Sequence, residues 1–314
     1  MNESVWVLTI FAAIGLGTPL VYAIVGEILA ERAGILNLGV QGMMLVGAVG
    51  GFWAVYQTDN LVLGVLMAMV AGALISVIHA FASITLRVSQ IVSGLALTIF
   101  GTGLSSFIGK AGTPALVGTP ARNQFGPILD GGIADWPIVG PLLFGHDILV
   151  YLSWVLVAGA SYYLFRTRMG LTVRAVGEDP ASADAAGIEV SRVRYVHVML
   201  GGALAGIGGA YYSLVIVPSW QDELIGQAGW IAIALVILAS WRPWRALFAA
   251  YLFGAAGRVN FTLQTLGFSV PSNLLAMIPF VLAIIAMIVL TSGKRARLLG
   301  APAALGVPYS REQR

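Results

Sequence analysis

Long apolar stretches separated by short polar ones fill most of the chain. A transmembrane α-helix needs roughly 20 mainly apolar residues to cross about 30 Å of hydrocarbon. The sequence predicts an all-α, polytopic membrane protein with about nine transmembrane helices, in a range of about eight to ten, some of them broken or re-entrant. The predicted spans are 5–26, 33–58, 61–86, 88–109, 148–165, 195–217, 224–241, a broken segment at 246–264, and 274–291.

Composition agrees with this pattern. Hydrophobic residues make up 58% and charged residues 10% of the 314 residues, whereas a soluble domain has roughly 25% charged residues. The apolar stretches follow one another without a long soluble insertion, so we expect a single transmembrane domain over 1–314. The net charge of +3 is explained by where the charges lie, and no nucleic-acid partner is expected.

Lys and Arg concentrate in loops that the predicted spans place on one side of the membrane. Because basic loops stay in the cytoplasm, loop 166–194 and the tail 293–314 are predicted to be cytoplasmic, and loop 110–146 extracytoplasmic. The N-terminus would then lie outside and the C-terminus inside. Arg258 falls within a span near its predicted outer end, where its side chain can reach the interface, so a structural role is favoured.

Two predicted spans carry polar side chains and many glycines at their starts. Irregular or polar backbone is tolerated at membrane depth only where protein or a water-filled cavity covers it, and broken helices often form transporter substrate sites. For Gln41 and Gln90, a hydrogen bond between helices is an equally good interpretation. The predicted pathway residues are Asn37, Gln41, Ser89, Gln90, Ser93 and Thr98.

Glycine pairs four residues apart have a simpler interpretation than a pathway. Gly47 with Gly51, and Gly202 with Gly206, form small-residue faces. Such faces let two helix backbones approach closely. We therefore predict that both pairs serve helix packing.

The basic stretch 166–194 contains the signals of a short helix. Asp179 is a good N-cap, Pro180 suits the first helical position, and 181–186 is a strong helix former. Gly187 stands where a left-handed C-cap is favoured. A helix of about two turns is unstable alone in water, so neighbouring membrane segments or a partner protein must hold it. The alternative is an ordinary solvated loop.

Sequence motifs of catalysis are absent. The chain has no GxxxxGK[ST] phosphate loop, no GxSxG or HExxH motif, and no carboxylate pair within a predicted span. Its three histidines are scattered and it has no cysteine, so neither a catalytic nor a metal site is expected. Uphill transport would need energy from a partner or from an ion gradient.

Four blocks of sequence carry a resemblance to a known family. The chain resembles permease subunits of bacterial ABC importers in the branched-chain amino acid permease family, closest to the nucleoside or simple-sugar subgroup. The blocks appear in the family's order and span most of the chain: GEILAERAGILNLGVQGMMLVGA from Gly26, SQIVSGLALTIFGTGLSSFIG from Ser89, RAVGEDPASADAAGIEVSRVRY from Arg174, and GWIAIALVILASWRPWRALFAAYLFG from Gly229.

The resemblance implies a non-catalytic transport subunit of a bacterial inner-membrane importer for nucleosides. It implies a second permease, similar but separately encoded, two copies of an ATPase subunit that binds ATP-Mg, and an extracytoplasmic solute-binding lipoprotein. One departure is Gln41, where the family usually has Glu, which places a fixed negative charge there in doubt. The residues that the resemblance assigns to ATPase coupling are Glu178, Asp179, Pro180, Ala183, Asp184, Ala185, Ala186 and Gly187.

Other functions stay open. Simple sugars and branched-chain amino acids are alternative solutes, although uncharged pathway candidates suit a neutral, hydroxyl-rich solute better than a free amino acid. A stand-alone secondary carrier or channel would share the same hydropathy, but it would need no docking helix and no ATPase. An intramembrane enzyme is disfavoured, because no nucleophile motif, His cluster or acid pair is expected within the membrane.

Overall fold

The computed structural model describes residues 2–112, 115–121, 123–129, 136, 138–265 and 300–310, with isolated positions at 271, 277, 281, 284, 285 and 288. Within these residues the fold is helical, and the only extended pairing is two isolated bridges between 117–120 and 219–220. The helices are α1 Asn2–Arg32, α2 Val40–Thr58, α3 Leu61–Ala80, α4 Gln90–Ala111, α5 Val139–Phe144, α6 Ile148–Arg166, α7 Arg168–Glu178, α8 Pro180–Ala185, α9 Val190–Tyr211, α10 Ala228–Leu238 and α11 Pro243–Thr265.

Helix α1 lies at the centre of the bundle. It packs along α9 and α11, and α2 packs against α3, α4 and α9. A π-helical turn extends α3 over Phe81–Thr85, and another extends α9 over Tyr212–Ile216. The central core is built from the apolar side chains of α1, α2 and α10, as expected for helices that are surrounded by protein on most sides.

Glycines set the closest helix contacts, as the spacing of the small residues predicts. A Cβ atom on Gly47 would lie 2.3 Å from the Cα of Gly206, and one on Gly202 would lie 2.5 Å from the carbonyl oxygen of Gly72. A Cβ on Gly51 would meet the Cβ of Ala210 at 3.1 Å. Both predicted glycine pairs therefore serve packing between α2, α3 and α9.

A buried carboxylate fixes the end of the bundle opposite α8. One oxygen of Asp147 accepts the backbone N–H groups of Leu149 and Val150 and so caps α6. Its other oxygen accepts a hydrogen bond of 2.8 Å from the Tyr211 hydroxyl. The Tyr22 hydroxyl donates to the Leu149 carbonyl at 2.7 Å. These contacts join α1, α6 and α9 at one level.

Five of the described helical segments are both long enough and apolar enough to cross a membrane: Val5–Arg32, Leu61–Thr85, Gln90–Ala111, Ile148–Arg166 and Val190–Ile216. The predicted span 224–241 is a shorter helix, α10, of 11 residues. The break predicted within 246–264 is wrong, because α11 runs without interruption for 23 residues. The predicted span 274–291 lies outside the residues that the structure describes in continuous form, so the number nine stays a prediction.

Candidate pathway and coupling site

A short non-helical segment, 33–39, lies buried between α1 and α2. Its residues Ala33, Ile35 and Asn37 are 0%, 0% and 1% exposed. Gly34 turns the chain with a φ of +86°, a conformation that favours glycine. The sequence placed these residues inside the predicted span 33–58 and marked its start as polar and glycine-rich, whereas in the structure the helix begins only at Val40. Buried backbone that is not helical must find its hydrogen bonds on other side chains.

Two side chains of α4 hold this buried segment. The Gln90 carboxamide oxygen accepts the Leu36 N–H at 2.7 Å, and the Thr98 hydroxyl donates to the Leu38 carbonyl at 2.9 Å. The Nε2 atom of Gln90 is itself buried, and it has no hydrogen-bond partner in the described part of the chain. Gln90 therefore joins α4 to the non-helical segment and keeps one donor without a partner among the described residues.

Ser93 contacts the same segment indirectly, because His79 lies between them and bonds to both. The His79 ring nitrogen Nε2 lies 3.2 Å from the Leu36 carbonyl, and Nδ1 lies 2.6 Å from the Ser93 hydroxyl. Because a carbonyl only accepts, Nε2 carries the proton, and Nδ1 of the neutral ring accepts from Ser93. Ser89, by contrast, is exposed just before α4 and makes no capping hydrogen bond. Ser89 is therefore the exposed member of the six predicted pathway residues.

Asn37 connects the segment to α1 and to the start of α2. Its backbone N–H and its side-chain Nδ2 donate to the two oxygens of Glu27, at 3.2 and 3.0 Å. Its own Oδ1 accepts the Gly39 N–H at 3.1 Å. Asn37 thus links α1 to α2 through a carboxyl group that the hydropathy pattern had placed outside the first span.

The structure corrects the prediction that no carboxylate pair lies within a span. Helix α1 continues beyond Gly26, and it carries Glu27 and Glu31 one turn apart, 1% and 2% exposed. Glu31 accepts a hydrogen bond from the indole N–H of Trp241. Neither carboxyl forms an ion pair with any described residue. Across the described ranges no three His, Asp or Glu side chains gather as a metal site would require.

Gln41 joins α2 to the start of α10. Its Nε2 donates to the Gly226 carbonyl at 2.6 Å, and its Oε1 accepts the Gly229 N–H at 2.8 Å. A Cβ on Gly229 would lie 2.4 Å from the Cα of Gln41. For Gln41 the structure thus shows the hydrogen bond between helices that the sequence left open beside a pathway role, whereas Gln90 bonds to the non-helical segment 33–39.

The predicted short helix in 166–194 is present as α8. Asp179 caps it by accepting the N–H groups of Ala181 and Ser182, at 3.0 and 3.1 Å, together with the Ser182 hydroxyl. These hydrogen bonds, that from the Ser182 hydroxyl foremost, hold the pKa of Asp179 below its usual value. Pro180 is the first helical residue, and Gly187 follows the helix with a φ of +84°.

Helix α8 has one packed face and one free face. Ala183 is buried against Val176 of α7 and Val190 of α9. Ala185, Ala186 and Gly187 are exposed, and a Cβ on Gly187 would meet no atom within 4 Å. Of the residues that the resemblance assigns to coupling, Ala183 therefore anchors α8. The exposed positions 181, 182, 185 and 186 form what we call the free face of α8.

The α7–α8 arm is fixed to the end of α1. A Cβ on Gly177 would lie 2.2 Å from the Arg32 carbonyl oxygen, so the two backbones touch. Arg194 Nε donates to the Ala33 carbonyl at 3.2 Å. The tail also packs here, because the Ala304 N–H donates to the Gly177 carbonyl at 2.9 Å. α8 is thereby connected to the start of the buried segment 33–39.

The opposite end of the bundle carries an exposed polar cluster. Lys110 at the end of α4 forms an ion pair with Asp222, and the Ser106 hydroxyl donates to Asp222 at 2.7 Å. The Lys110 ammonium, with Ser106, holds the pKa of Asp222 below its usual value. Trp220 is buried beside this cluster, where a Cβ on Gly109 would lie 2.2 Å from its ring.

Comparison with known families decides the class of protein. Residues 9–291 match the family described as "Branched-chain amino acid transport system / permease component". The chain belongs to this family. As a member of this permease family it is a transport component of an ABC transporter, and the resemblance seen in the sequence is confirmed.

Individual relatives of this permease match most of its length. It is 40% identical over 263 residues to "Putative glucose ABC transporter permease protein TsgC13" of Haloferax volcanii, covering 83% of this chain and 79% of the relative. It is 34% identical over 310 residues to the guanosine ABC transporter permease protein NupQ of Bacillus subtilis, covering 94% of each. The nucleoside ABC transporter permease proteins NupC and NupB of Lactococcus lactis are 33% and 23% identical, covering 93% and 77% of this chain and 93% and 71% of the relatives.

The fold of this permease also matches a solved transporter. The structure described as "An inward-facing conformation of a putative metal-chelate type ABC transporter" superposes with a TM-score of 0.50 and 18% sequence identity. The match covers 88% of this chain and 84% of the other. At that identity the likeness establishes the fold of an ABC transporter, and the helical architecture predicted from the sequence agrees with it.

Proposed function

We propose that this permease forms half of the pathway of an ATP-driven importer, and that α8 is the helix that docks on a separate ATPase subunit. The observation that carries the proposal is the construction of α8. It is a capped two-turn helix with a free face, held on α7 and α9 through Ala183. A helix this short is stable only when it is packed, and here the packing leaves one side open for a partner.

The contacts around α8 supply a route for mechanical coupling. Closure of an ATPase dimer on ATP binding would displace α8 and α7 together. Gly177 touches the Arg32 carbonyl, and Arg194 holds the Ala33 carbonyl, so the end of α1 would move with them. The buried segment 33–39 would then pull on α4 through Gln90 and Thr98. ATP would act by binding one of the two arrangements better than the other.

For the solute, we propose nucleosides. NupQ and NupC, which this chain matches over more than nine-tenths of its length, are named for guanosine and nucleosides. The predicted pathway residues are uncharged, and Gln90 keeps a buried amide donor without a partner among the described residues. Such a donor suits a hydroxyl or a base carbonyl. TsgC13 makes glucose, a simple sugar, the second candidate, with branched-chain amino acids third.

Further proposals concern partners and placement. A second, paralogous permease would complete the pathway, as the two permease relatives NupC and NupB of Lactococcus lactis suggest. The ATPase would bind ATP-Mg, and an extracytoplasmic lipoprotein would deliver the solute. The chain would lie in a bacterial inner membrane with its N-terminus outside and its C-terminus and α8 in the cytoplasm, because basic loops stay on the cytoplasmic side.

Uptake in reconstituted vesicles tests the function. The chain, reconstituted with the subunits encoded beside it, should take up labelled guanosine or uridine when ATP is supplied. It should not do so with a non-hydrolysable ATP analogue. Labelled glucose and leucine in parallel vesicles decide between the solutes. Uptake by the permease without any ATPase would contradict the proposal and would establish a secondary carrier or channel.

A substitution on α8 tests the docking surface separately. Ala185→Glu places a charge on the free face without touching the packed side of the helix. We expect uptake to be lost while the protein stays folded in the membrane. Ala301→Glu is the matched control, since Ala301 is also exposed at the same end of the molecule but lies outside α8. Unimpaired uptake by Ala185→Glu would overturn the assignment of α8.

A further inference from the structure

A cavity of about 530 Å³ opens on the outside of the helix bundle, between the end of α6 and the start of α11. Arg166, Arg242 and Arg245 line it together with the aromatic side chains of Tyr162, Phe165 and Trp244. It lies at the same end of the molecule as α8. Neither the pathway residues nor the free face of α8 contributes to it.

The cavity is strongly positive. Across the described part of the chain, no carboxylate forms an ion pair with Arg166, Arg242 or Arg245. Two further guanidinium groups, those of Arg32 and Arg174, lie 5.8 and 5.5 Å from the centre of the Phe165 ring. Glu178 partly offsets the charge of Arg32, but Arg166, Arg242 and Arg245 have no ion-pair partner among the described residues. They raise the potential in the cavity, and an anion bound there would relieve their repulsion.

Backbone groups add to this anion-binding character. Helix α11 begins at Pro243, and its first intrahelical donor is the Ala246 N–H, which bonds to the Arg242 carbonyl. The N–H groups of Trp244 and Arg245 precede that bond and have no partner within the helix. Such free N–H groups, at the positive end of the helix dipole, bind phosphate readily. The buried hydroxyl oxygen of Ser161 also lacks a hydrogen-bond partner within the described residues.

An apolar wall continues from the cavity along the membrane-facing side. Val155 of α6 and Phe248 of α11 are 67% and 71% exposed. At 1.5 Å per residue, Val155 lies about 16 Å from Arg166 along α6, and Phe248 lies about 8 Å from Pro243 along α11. Leu252 is exposed one turn beyond Phe248. A ligand that fits both features has an anionic head and long apolar chains.

From these observations we propose that the cavity binds an anionic phospholipid. The phosphate lies among the arginines and the first N–H groups of α11, and the acyl chains lie along the wall formed by Val155, Phe248 and Leu252. Basic pockets between transmembrane helices bind lipid headgroups in this way, and aromatic side chains such as Trp244 favour the headgroup level. A free phosphate ion would use the cations but not the wall. The inference does not depend on the proposed solute.

Native mass spectrometry of the full chain in detergent, with any subunits that remain bound, tests this site. Phosphatidylglycerol, phosphatidylcholine and inorganic phosphate are titrated in separate arms. We expect phosphatidylglycerol to bind at least tenfold more tightly than phosphatidylcholine. The double variant R242Q/R245Q should lower phosphatidylglycerol affinity about 25-fold, from roughly fivefold for each basic residue near an anionic lipid. Arg192→Gln, an exposed arginine outside the cavity, should leave the affinity unchanged.

A second variant tests the cavity without changing its charge. Ala158→Trp fills the cavity from an exposed position on α6 without removing an arginine, and it should also abolish the preference for phosphatidylglycerol. Equal binding of the two lipids, or unchanged binding in both variants, would overturn the proposal. Arginine-dependent binding of inorganic phosphate as tight as that of phosphatidylglycerol would assign the cavity to free phosphate and overturn its assignment to a lipid.

Discussion

Replacing Gly177 with alanine tests the connection between α8 and the membrane helices. The new Cβ would lie 2.2 Å from the Arg32 carbonyl oxygen, 3.0 Å from the Arg32 carbonyl carbon and 3.3 Å from the Cβ of Pro302. Ordinary contact begins at 3.4 Å, so the oxygen and the new methyl group must separate by about 1.2 Å. The nearest atoms belong to backbone, which cannot rotate away.

Arg32 has little freedom to give way. Its guanidinium donates to the Trp241 carbonyl at 3.2 and 3.3 Å, and to the Gly300 carbonyl at 3.0 Å. Overpacking of this kind costs about 1–3 kcal/mol. We expect α7 to move away from α1 while the fold is retained, because the contact lies at the end of α1 rather than in the central core.

We expect this displacement of α7 to weaken the coupling between ATP hydrolysis and solute uptake. Coupling energies between sites are typically about 1–3 kcal/mol, or roughly 5- to 150-fold. ATP-driven uptake by Gly177→Ala should therefore fall at least about fivefold, while ATP hydrolysis by the complex stays within about twofold of the unmodified protein. Both rates are measured on the same vesicles. Gly159→Ala is the control, since a Cβ there meets no atom within 4 Å. Normal uptake by Gly177→Ala would refute the mechanical route through Arg32.

Three further changes follow from the same contacts. Gln90→Leu leaves the part-buried Leu36 N–H without its acceptor and should lower the free energy of unfolding by about 0.5–1.5 kcal/mol, whereas Ser89→Ala should leave it unchanged in the same denaturation assay. Asp179 stabilises α8 as a carboxylate with a lowered pKa, so the protection factors of the amides at 181–187, corrected for the intrinsic pH dependence of exchange, should fall as pH falls through that pKa, and they should not follow this titration in Asp179→Ala. Truncation after 299 removes the Ala304 N–H that bonds to Gly177 and should increase hydrogen exchange at 176–190. Unchanged exchange in the truncated protein would show that the tail does not hold the α7–α8 arm in place.

Local structure within the coupling loop could be predicted from the sequence. Asp179, Pro180 and Gly187 are separated by fixed numbers of residues, and capping depends on backbone geometry within one or two turns. The irregular start of the second predicted span was also visible, because polar residues and glycines lie within an apolar run, although the span was expected from 33 and α2 begins at Val40. These signals are local and require no knowledge of distant packing.

Features that depend on distant contacts were not predictable. Hydropathy ended the first span at Gly26, so Glu27 and Glu31 were assigned to a loop, although α1 buries both against Asn37 and Trp241. The buried indole of Trp241 was the missing signal, and it lies 210 residues from Glu31. The break expected in α11 failed for a similar reason, since tertiary packing overrides local helix propensity.

The positions of Gln41 and Gln90 show the same limit. Their polarity within apolar runs marked them as exceptional, but nothing in the sequence identifies Gly226, Gly229 or Leu36 as their partners. A glutamate at position 41 would keep an acceptor for the Gly229 N–H and would lose the donor to the Gly226 carbonyl. The glutamine in this chain thus makes a hydrogen bond that an ionised glutamate could not make.

Cross-linking from α8 is the most direct measurement of the proposed role of this helix. Because the chain contains no cysteine, Ala185→Cys introduces one unique thiol on the free face, to which a short photoreactive probe can be attached in the purified complex. The account predicts a cross-link to the ATPase subunit whose yield changes when ATP binds, and none from a probe at Gly118→Cys, at the opposite end of the bundle. A complex that imports solute with ATP while the probe on α8 reaches only detergent or its own chain would contradict the account.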